Sequence, residues 1–308
     1  MKRKTKKLLK KIIIVAVFVI IGMVITGNTP QPIRDVIDKI IPKAKEEIAQ
    51  LTGTEGIEKL KELYESYTSK TPQLSNETNT NSLEIPKTGN IVVKHKGYTL
   101  SYNDKYEQAD WVAYTLTVDE LNTKATGRTE DFREDPMVSS AHLEDYKNSG
   151  YDRGHLCPSA DRTSSVELNS ETFYLSNMSP QIHRFNAGLW LKAEDAVRDA
   201  ARMFGKIYIV TGPIFTDDMD TIGSCCSIAV PKSFYKVILA IDDNNNVYTL
   251  GLICPQEYEK GNLPLYATTV DKVEEITGID FFYLLDDNIE NAVESSYNLS
   301  DWPSSFSK

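Results

Sequence analysis

One stretch constrains the fold of this chain more than any other. Trp190, Ala193, Val197, Ala200 and Phe204 recur at alternating intervals of three and four residues, and Gly205 follows directly. That spacing lines five apolar side chains along one stripe of an α-helix, and glycine is the usual residue where a helix ends in left-handed backbone. A helix with a single apolar stripe needs an apolar surface to pack on. The chain supplies one from both sides: residues 91–93, 98–102 and 111–118 upstream, and 207–211, 234–241 and 247–253 downstream, are rich in β-branched and aromatic side chains and read as strands. The last two are joined by Asp242-Asp-Asn-Asn-Asn246, a loop composition that favours a hairpin. A final helix is expected at about 270–277, stopped by Gly278. The mixture predicts one α+β domain spanning residues 88–308.

The upstream part differs in kind. Residues 1–11 hold seven Lys and Arg and no acid, and residues 12–27 form an uncharged run rich in Ile and Val. A basic flank followed by such a run reads as an export signal. As a helix, residues 12–27 span about 24 Å, short of a ~30 Å hydrocarbon core unless Leu8, Leu9 and snorkelling lysines extend it. The segment 1–27 is thus a signal-anchor or a signal peptide; Ile25-Thr26-Gly27 is a poor small-x-small cleavage site, which favours the uncleaved membrane anchor. Either outcome places the remainder outside the cytoplasm. Ile33, Ile37, Ile40, Ala44, Ile48 and Leu51 trace an amphipathic helix interrupted at Pro42, and a short helix is expected at 57–64, so 28–67 reads as a helical stalk. Residues 68–87 turn polar and poor in apolar side chains, the composition of a flexible linker.

Charge narrows the chemistry. The net charge of the 308 residues is -10, but with the seven basic residues of 1–11 set aside, 27 basic residues face 44 acidic ones, a net of -17. A body this acidic has no broad basic face for counterion-release binding to nucleic acid, so any work on phosphate must come from a few local cations. The four cysteines, Cys157, Cys225, Cys226 and Cys254, show no C-x-x-C spacing and define neither a zinc site nor a disulfide pattern.

Two clusters carry chemistry. Asp152-Arg-Gly-His155 gathers a carboxylate, a guanidinium and an imidazole, with a glycine where the backbone bends or approaches another group closely. Alone, the tetrapeptide is equally compatible with a surface turn and an ordinary ion pair. Downstream, Asn186 stands at the mouth of the predicted helix. At 100° per residue, Glu194 lies about 80° from it and Arg198 about 40° further, so an amide, a carboxylate and a cation share one flank. The bland alternative is an N-cap followed by an i,i+4 ion pair.

Together, Asp152-Arg-Gly-His155, Ser176-Asn-Met-Ser-Pro-Gln181 and the Asn186, Glu194, Arg198 helix resemble the DNA/RNA non-specific endonucleases, the ββα-metal, endonuclease G-like nucleases. The likeness extends to Trp111-Val-Ala-Tyr114, Asp145-Tyr146, Thr211-Gly-Pro213 and Pro231-Lys-Ser-Phe-Tyr-Lys236, and does not cover residues 1–87. The resemblance implies a ββα-metal fold with a central antiparallel sheet and flanking helices, and an enzyme that hydrolyses DNA and RNA with one Mg²⁺, for which Mn²⁺ substitutes. It casts His155 as general base, Asn186 as the direct metal ligand and Glu194 as a ligand acting through metal-bound water. Arg153 and Arg198 clamp phosphate oxygens, joined by an upstream arginine, Arg128 in preference to Arg133. Asn177 supports the site by orienting His155 or the backbone beside it, Asp152 is mainly structural, and His183 matches no catalytic position. Contacts limited to phosphate and metal imply weak sequence preference. The competing reading is a catalytically silent nucleic-acid-binding surface module, against which the complete His155, Asn186, Glu194 set speaks.

Overall fold

The computed structural model describes residues 72–75, 79–87, 91–224, 226–258 and 260–307. The chain divides into Met1–Lys70 and Thr71–Lys308, and every described residue belongs to the second unit. The anchor or signal at 1–27 and the stalk at 28–67 lie outside the described residues. Among the described residues no helix is long and apolar enough to cross a membrane.

Eleven strands are present among the described residues: β1 (Ile91–Lys94), β2 (Thr99–Asn103), β3 (Gln108–Thr117), β4 (Asp152–His155), β5 (Met178–Gln181), β6 (Lys206–Ile214), β7 (Thr221–Ile222), β8 (Ile228–Ala229), β9 (Ser233–Ile241), β10 (Val247–Pro255) and β11 (Ala267–Thr268). Seven of them form one sheet in the order β1-β2-β3-β6-β9-β10-β11, antiparallel throughout. The long helix is α1 (Leu191–Phe204), and two later ones are α2 (Val270–Thr277) and α3 (Asp287–Glu294).

The three central strands are buried on both faces, and side-chain alternation shows how. On β3, Val112, Tyr114 and Leu116 point to one side and Trp111 and Ala113 to the other; β6 repeats this with Ile207 and Ile209 against Tyr208 and Val210. The first side meets the α1 stripe of Ala193, Ala196, Val197, Ala200 and Ala201. The second meets Val270 and Val273 of α2, Val293 of α3, and Phe281 and Phe282 between those helices. Coverage on both sides explains why these strands read as nearly continuous apolar runs instead of a clean alternation.

The predicted stops hold. Gly205 ends α1 at φ 77° and Gly278 ends α2 at φ 73°, both in backbone that a side chain would strain. Ile241 pairs Val247 across the predicted hairpin, with Asn245 at φ 63°. Two readings change. Within 68–87, composed like a linker, Leu74 and Leu83 are buried in the second core face, and Gln73 and Lys87 bridge to Asn246 and Asp280. Two leucines and a few backbone bonds hold these described residues on the domain. The long helix also begins earlier than its apolar stripe suggests: one turn, His183–Phe185, and then a π-helical turn, Asn186–Trp190, precede α1.

Candidate active site

β4 and β5 pair with each other, apart from the main sheet, and the helix that starts at His183 follows immediately. Asp152-Arg-Gly-His155 is therefore a strand and not a turn, in register with Gln181, Pro180, Ser179 and Met178. Its glycine is explained by close approach: a Cβ on Gly154 would sit 2.1 Å from the Gln181 side chain. The polar residues of the paired segment are spent on holding the ribbon in place. Ser176 Oγ donates to Asp135 Oδ2 at 2.5 Å, and Ser179 Oγ donates to Gln108 Oε1 at 2.5 Å. Asn177, fully buried, accepts from the Cys157 N–H at 2.9 Å through Oδ1 and donates from Nδ2 to the Cys157 and Thr172 carbonyls at 2.9 and 2.8 Å. Asn177 thus clamps backbone two residues beyond His155.

His155 is 7% exposed. Its carbonyl accepts from Trp190 Nε1 at 3.1 Å, which ties β4 to the helix, and its ring packs edge-on against Phe173 and Phe132, centroids at 4.9 and 5.9 Å, two rings that also meet each other at 4.9 Å. Each phenyl ring carries an arginine. Arg128 sits over Phe173 at 4.9 Å and Arg153 over Phe132 at 4.0 Å. Burial, reinforced by these two cations, pushes the His155 imidazole down to about 3, so the ring is neutral at neutral pH, and its buried Nε2 has no hydrogen-bond partner among the described residues.

A cleft of about 570 Å³ is lined by Arg128, Phe132, Glu144, Tyr146, Lys147, Asp152, Arg153, His183 and Asn186; it adjoins His155 through Phe132 and the two arginines, and neither the His155 ring nor Glu194 lines it. Asp152 Oδ2 accepts from Asn186 Nδ2 at 2.9 Å and pairs with His183 Nδ1 at 2.8 Å. With the amide nitrogen fixed on Asp152, the Asn186 amide oxygen is the atom left for a cation. Asn186 is no N-cap: it lies inside the helix, at the start of the π turn, and that wider turn alters the regular 100° spacing expected between it and Glu194. Glu194, in the first turn of α1, has its carboxyl raised by burial against the pull of Lys236 and Arg198. Lys236 is itself fully buried, donating to Thr211 Oγ1 at 3.2 Å and lying 4.0 Å over the Trp190 ring.

Residues 75–288 match the family described as DNA/RNA non-specific endonuclease, more than half of the chain. The chain belongs to the DNA/RNA non-specific endonucleases. It is 35% identical over 219 residues to nuclease C1 of Cunninghamella echinulata var. echinulata, covering 65% of this chain and 86% of that one. It is 32% identical over 235 residues to a nuclease of Nostoc sp., covering 72% and 84%. Mitochondrial endonuclease G of Homo sapiens is 29% identical over 200 residues, 60% of this chain and 67% of that one. Among solved structures, a chain from the crystal structure of the EndoG/EndoGI complex superposes with a TM-score of 0.61 at 28% identity, covering 65% of this chain and 88% of that chain. The endonuclease is thus a hydrolase of a metal-dependent family, built on a central antiparallel sheet with helices on both sides.

Not every expected residue of the endonuclease reaches the cleft. Arg153 and Arg128 line it, and Arg133 does not: its Nη1 is engaged by Asp131 and by the Ser170 carbonyl. Arg198, expected to clamp phosphate, is 8% exposed and donates to Asp161 at 2.8 Å and Asp195 at 2.6 Å, which makes it a buried brace beneath Glu194 and not a free clamp. Asp161 also accepts from Tyr114 at 2.9 Å. Sequence reasoning passed over Phe132 and Phe173, which frame His155, and Lys236 and Asp161, which surround Glu194. Only Lys236 carried a signal, a lysine in the midst of a β-strand run.

Proposed function

We propose that this endonuclease hydrolyses phosphodiester bonds of DNA and RNA, without sequence preference and with Mg²⁺, in a space outside the cytoplasm. The observation that carries the reading is His155: a neutral imidazole with a nitrogen unpartnered among the described residues, packed against two phenyl rings that each carry an arginine and that adjoin the cleft holding Asn186. The neutral imidazole accepts the proton of the attacking water as its oxygen bonds to phosphorus, and the phosphorus–O3′ bond breaks. Arg128 and Arg153, each seated over a phenyl ring, face the phosphate oxygens as charge builds there. The donor set suits a hard cation, since an amide oxygen on Asn186 and a carboxylate on Glu194 are both oxygen ligands, direct and through water. Bound there, Mg²⁺ (or Mn²⁺) supplies charge stabilisation at the phosphate and the leaving oxygen. Asp152 fixes the Asn186 amide, and Arg198 with Asp161 holds the helix turn that carries Glu194.

Export rests on the basic flank and apolar run of residues 1–27, with membrane attachment if that segment stays uncleaved. The full-length protein is expected to cleave plasmid DNA and structured RNA with Mg²⁺, to stop in chelator and to resume when Mg²⁺ or Mn²⁺ is restored, and to be accessible to protease on intact cells. Cleavage indifferent to chelator refutes the metal assignment, and full-length protein recovered only from cytoplasm refutes export.

A further inference from the structure

The second core face of the sheet is covered by α2 and α3, and these helices bring together a group of side chains that the active site does not use. Asp271 and Glu274, three residues apart, share one face of α2, and Glu294 is the last residue of α3. One carboxylate oxygen from each lies within 4.8 Å of the other two. Glu274 Oε1 accepts from the Phe281 N–H at 2.7 Å. Glu294 is 2% exposed, and its Oε1 is buried with no hydrogen-bond partner among the described residues.

A buried carboxylate oxygen left unpaired is costly, and two further carboxylates beside it raise the cost. The position makes it worse, because Glu294 sits at the carbonyl end of α3, where the helix dipole is negative. Glu290 and Asp280 add further negative charge around it. Nearby cations are committed elsewhere: Lys272 to Glu275 at 3.1 Å and Lys87 to Asp280 at 3.9 Å. One bound cation offsets all of these costs at once.

We propose that Asp271, Glu274 and Glu294 form a second divalent-cation site, on the opposite side of the sheet from α1 and suited to Ca²⁺, that ties α2 to α3. Oxygen ligands alone select a hard ion, and opposite ligands of Ca²⁺, at 2.3–2.6 Å each, stand up to roughly 5 Å apart, against about 4.2 Å for Mg²⁺. The three oxygens lie within 4.8 Å of one another, a spacing open to either ion, and the flexible shell of Ca²⁺ is the one that tolerates an irregular set of protein ligands. Asp271 and Glu274 are half-buried, which leaves room for water to complete the shell. The site's work is structural: it closes the cover that α2, Phe281, Phe282 and α3 place over the second core face.

The test uses full-length protein carrying Asn186→Ala, so that the active-site amide contributes no binding, and CaCl₂ as the titrant. One Ca²⁺ is expected to bind, raising the melting temperature by about 5 °C at a hundredfold excess over Kd. Adding Glu294→Gln, or separately the milder Asp271→Asn, is expected to abolish that shift while circular dichroism shows a folded protein. Each of these changes made alone in the otherwise native protein is expected to leave nuclease activity unaltered. No calcium-dependent shift in the parent, or an undiminished shift in both variants, overturns the proposal. A shift with MgCl₂ and none with CaCl₂ overturns the choice of ion.

Discussion

Arg128 and Arg133 flank Phe132 within one polar segment, yet they face different surroundings. Arg128 leans on Phe173, donates to Ser159 Oγ at 3.0 Å, pairs with Glu130 at 3.3 Å and lines the cleft, while Arg133 stacks on Tyr174 at 4.1 Å with its Nη1 engaged by Asp131. Arg128→Ala is therefore expected to lower kcat/KM on plasmid DNA by about 100-fold, the scale of losing one charged transition-state donor, with Arg133→Ala close to native. Equal losses would contradict the assignment of the clamp. His155 makes a separate prediction, about protonation. Its pKa is depressed, so the unfolded chain takes up a proton first, and stability drains away as pH falls below the ordinary histidine value of about 6.5. In the folded protein the ring stays neutral: its NMR resonances are expected to hold steady from pH 8 to pH 5, and a titration midpoint near 6.5 would count against the buried, arginine-flanked setting.

At the scale of elements, the site is a ribbon and a helix fastened by backbone contacts. Asn177 holds β5's approach to the residues after β4, and Trp190 holds β4 to the helix. Asn177→Ala strands the Cys157 N–H and two carbonyls, a loss expected to cost on the order of 2–3 kcal/mol in denaturant unfolding; an unchanged midpoint would refute the clamp. This scale also shows what the chain reveals before folding. The α1 stripe, its stop at Gly205 and the hairpin at 242–246 are local patterns, and they were legible. β4 was not, because Asp152-Arg-Gly-His155 has no strand-like alternation and owes its conformation to a partner at Met178–Gln181. Phe132 and Phe173 were equally hidden, since their meeting at His155 is made only in space. The surroundings of Arg198 were hidden for the same reason: its partner Asp161 comes from a different element.

For the whole molecule, an acidic chain works on a polyanion through a small cationic enclave. The cleft collects Arg128, Lys147 and Arg153 beside the carboxylates of Glu144 and Asp152, while the residues beyond the first eleven carry a net -17. Binding is local and suits release of products, and the family fold supplies the frame: a sheet covered on both faces, with the ribbon and helix presenting His155 and Asn186 at one side. The claim at the centre is that the neutral His155 ring takes the proton of the attacking water. Its most direct test is the rate of plasmid cleavage by full-length His155→Ala at saturating Mg²⁺, alongside the native protein. The expected result is a kcat lower by about 10²- to 10⁴-fold, the usual worth of a general base, with DNA binding and the unfolding transition retained. Cleavage within about threefold of native would contradict it, since no general base contributes so little.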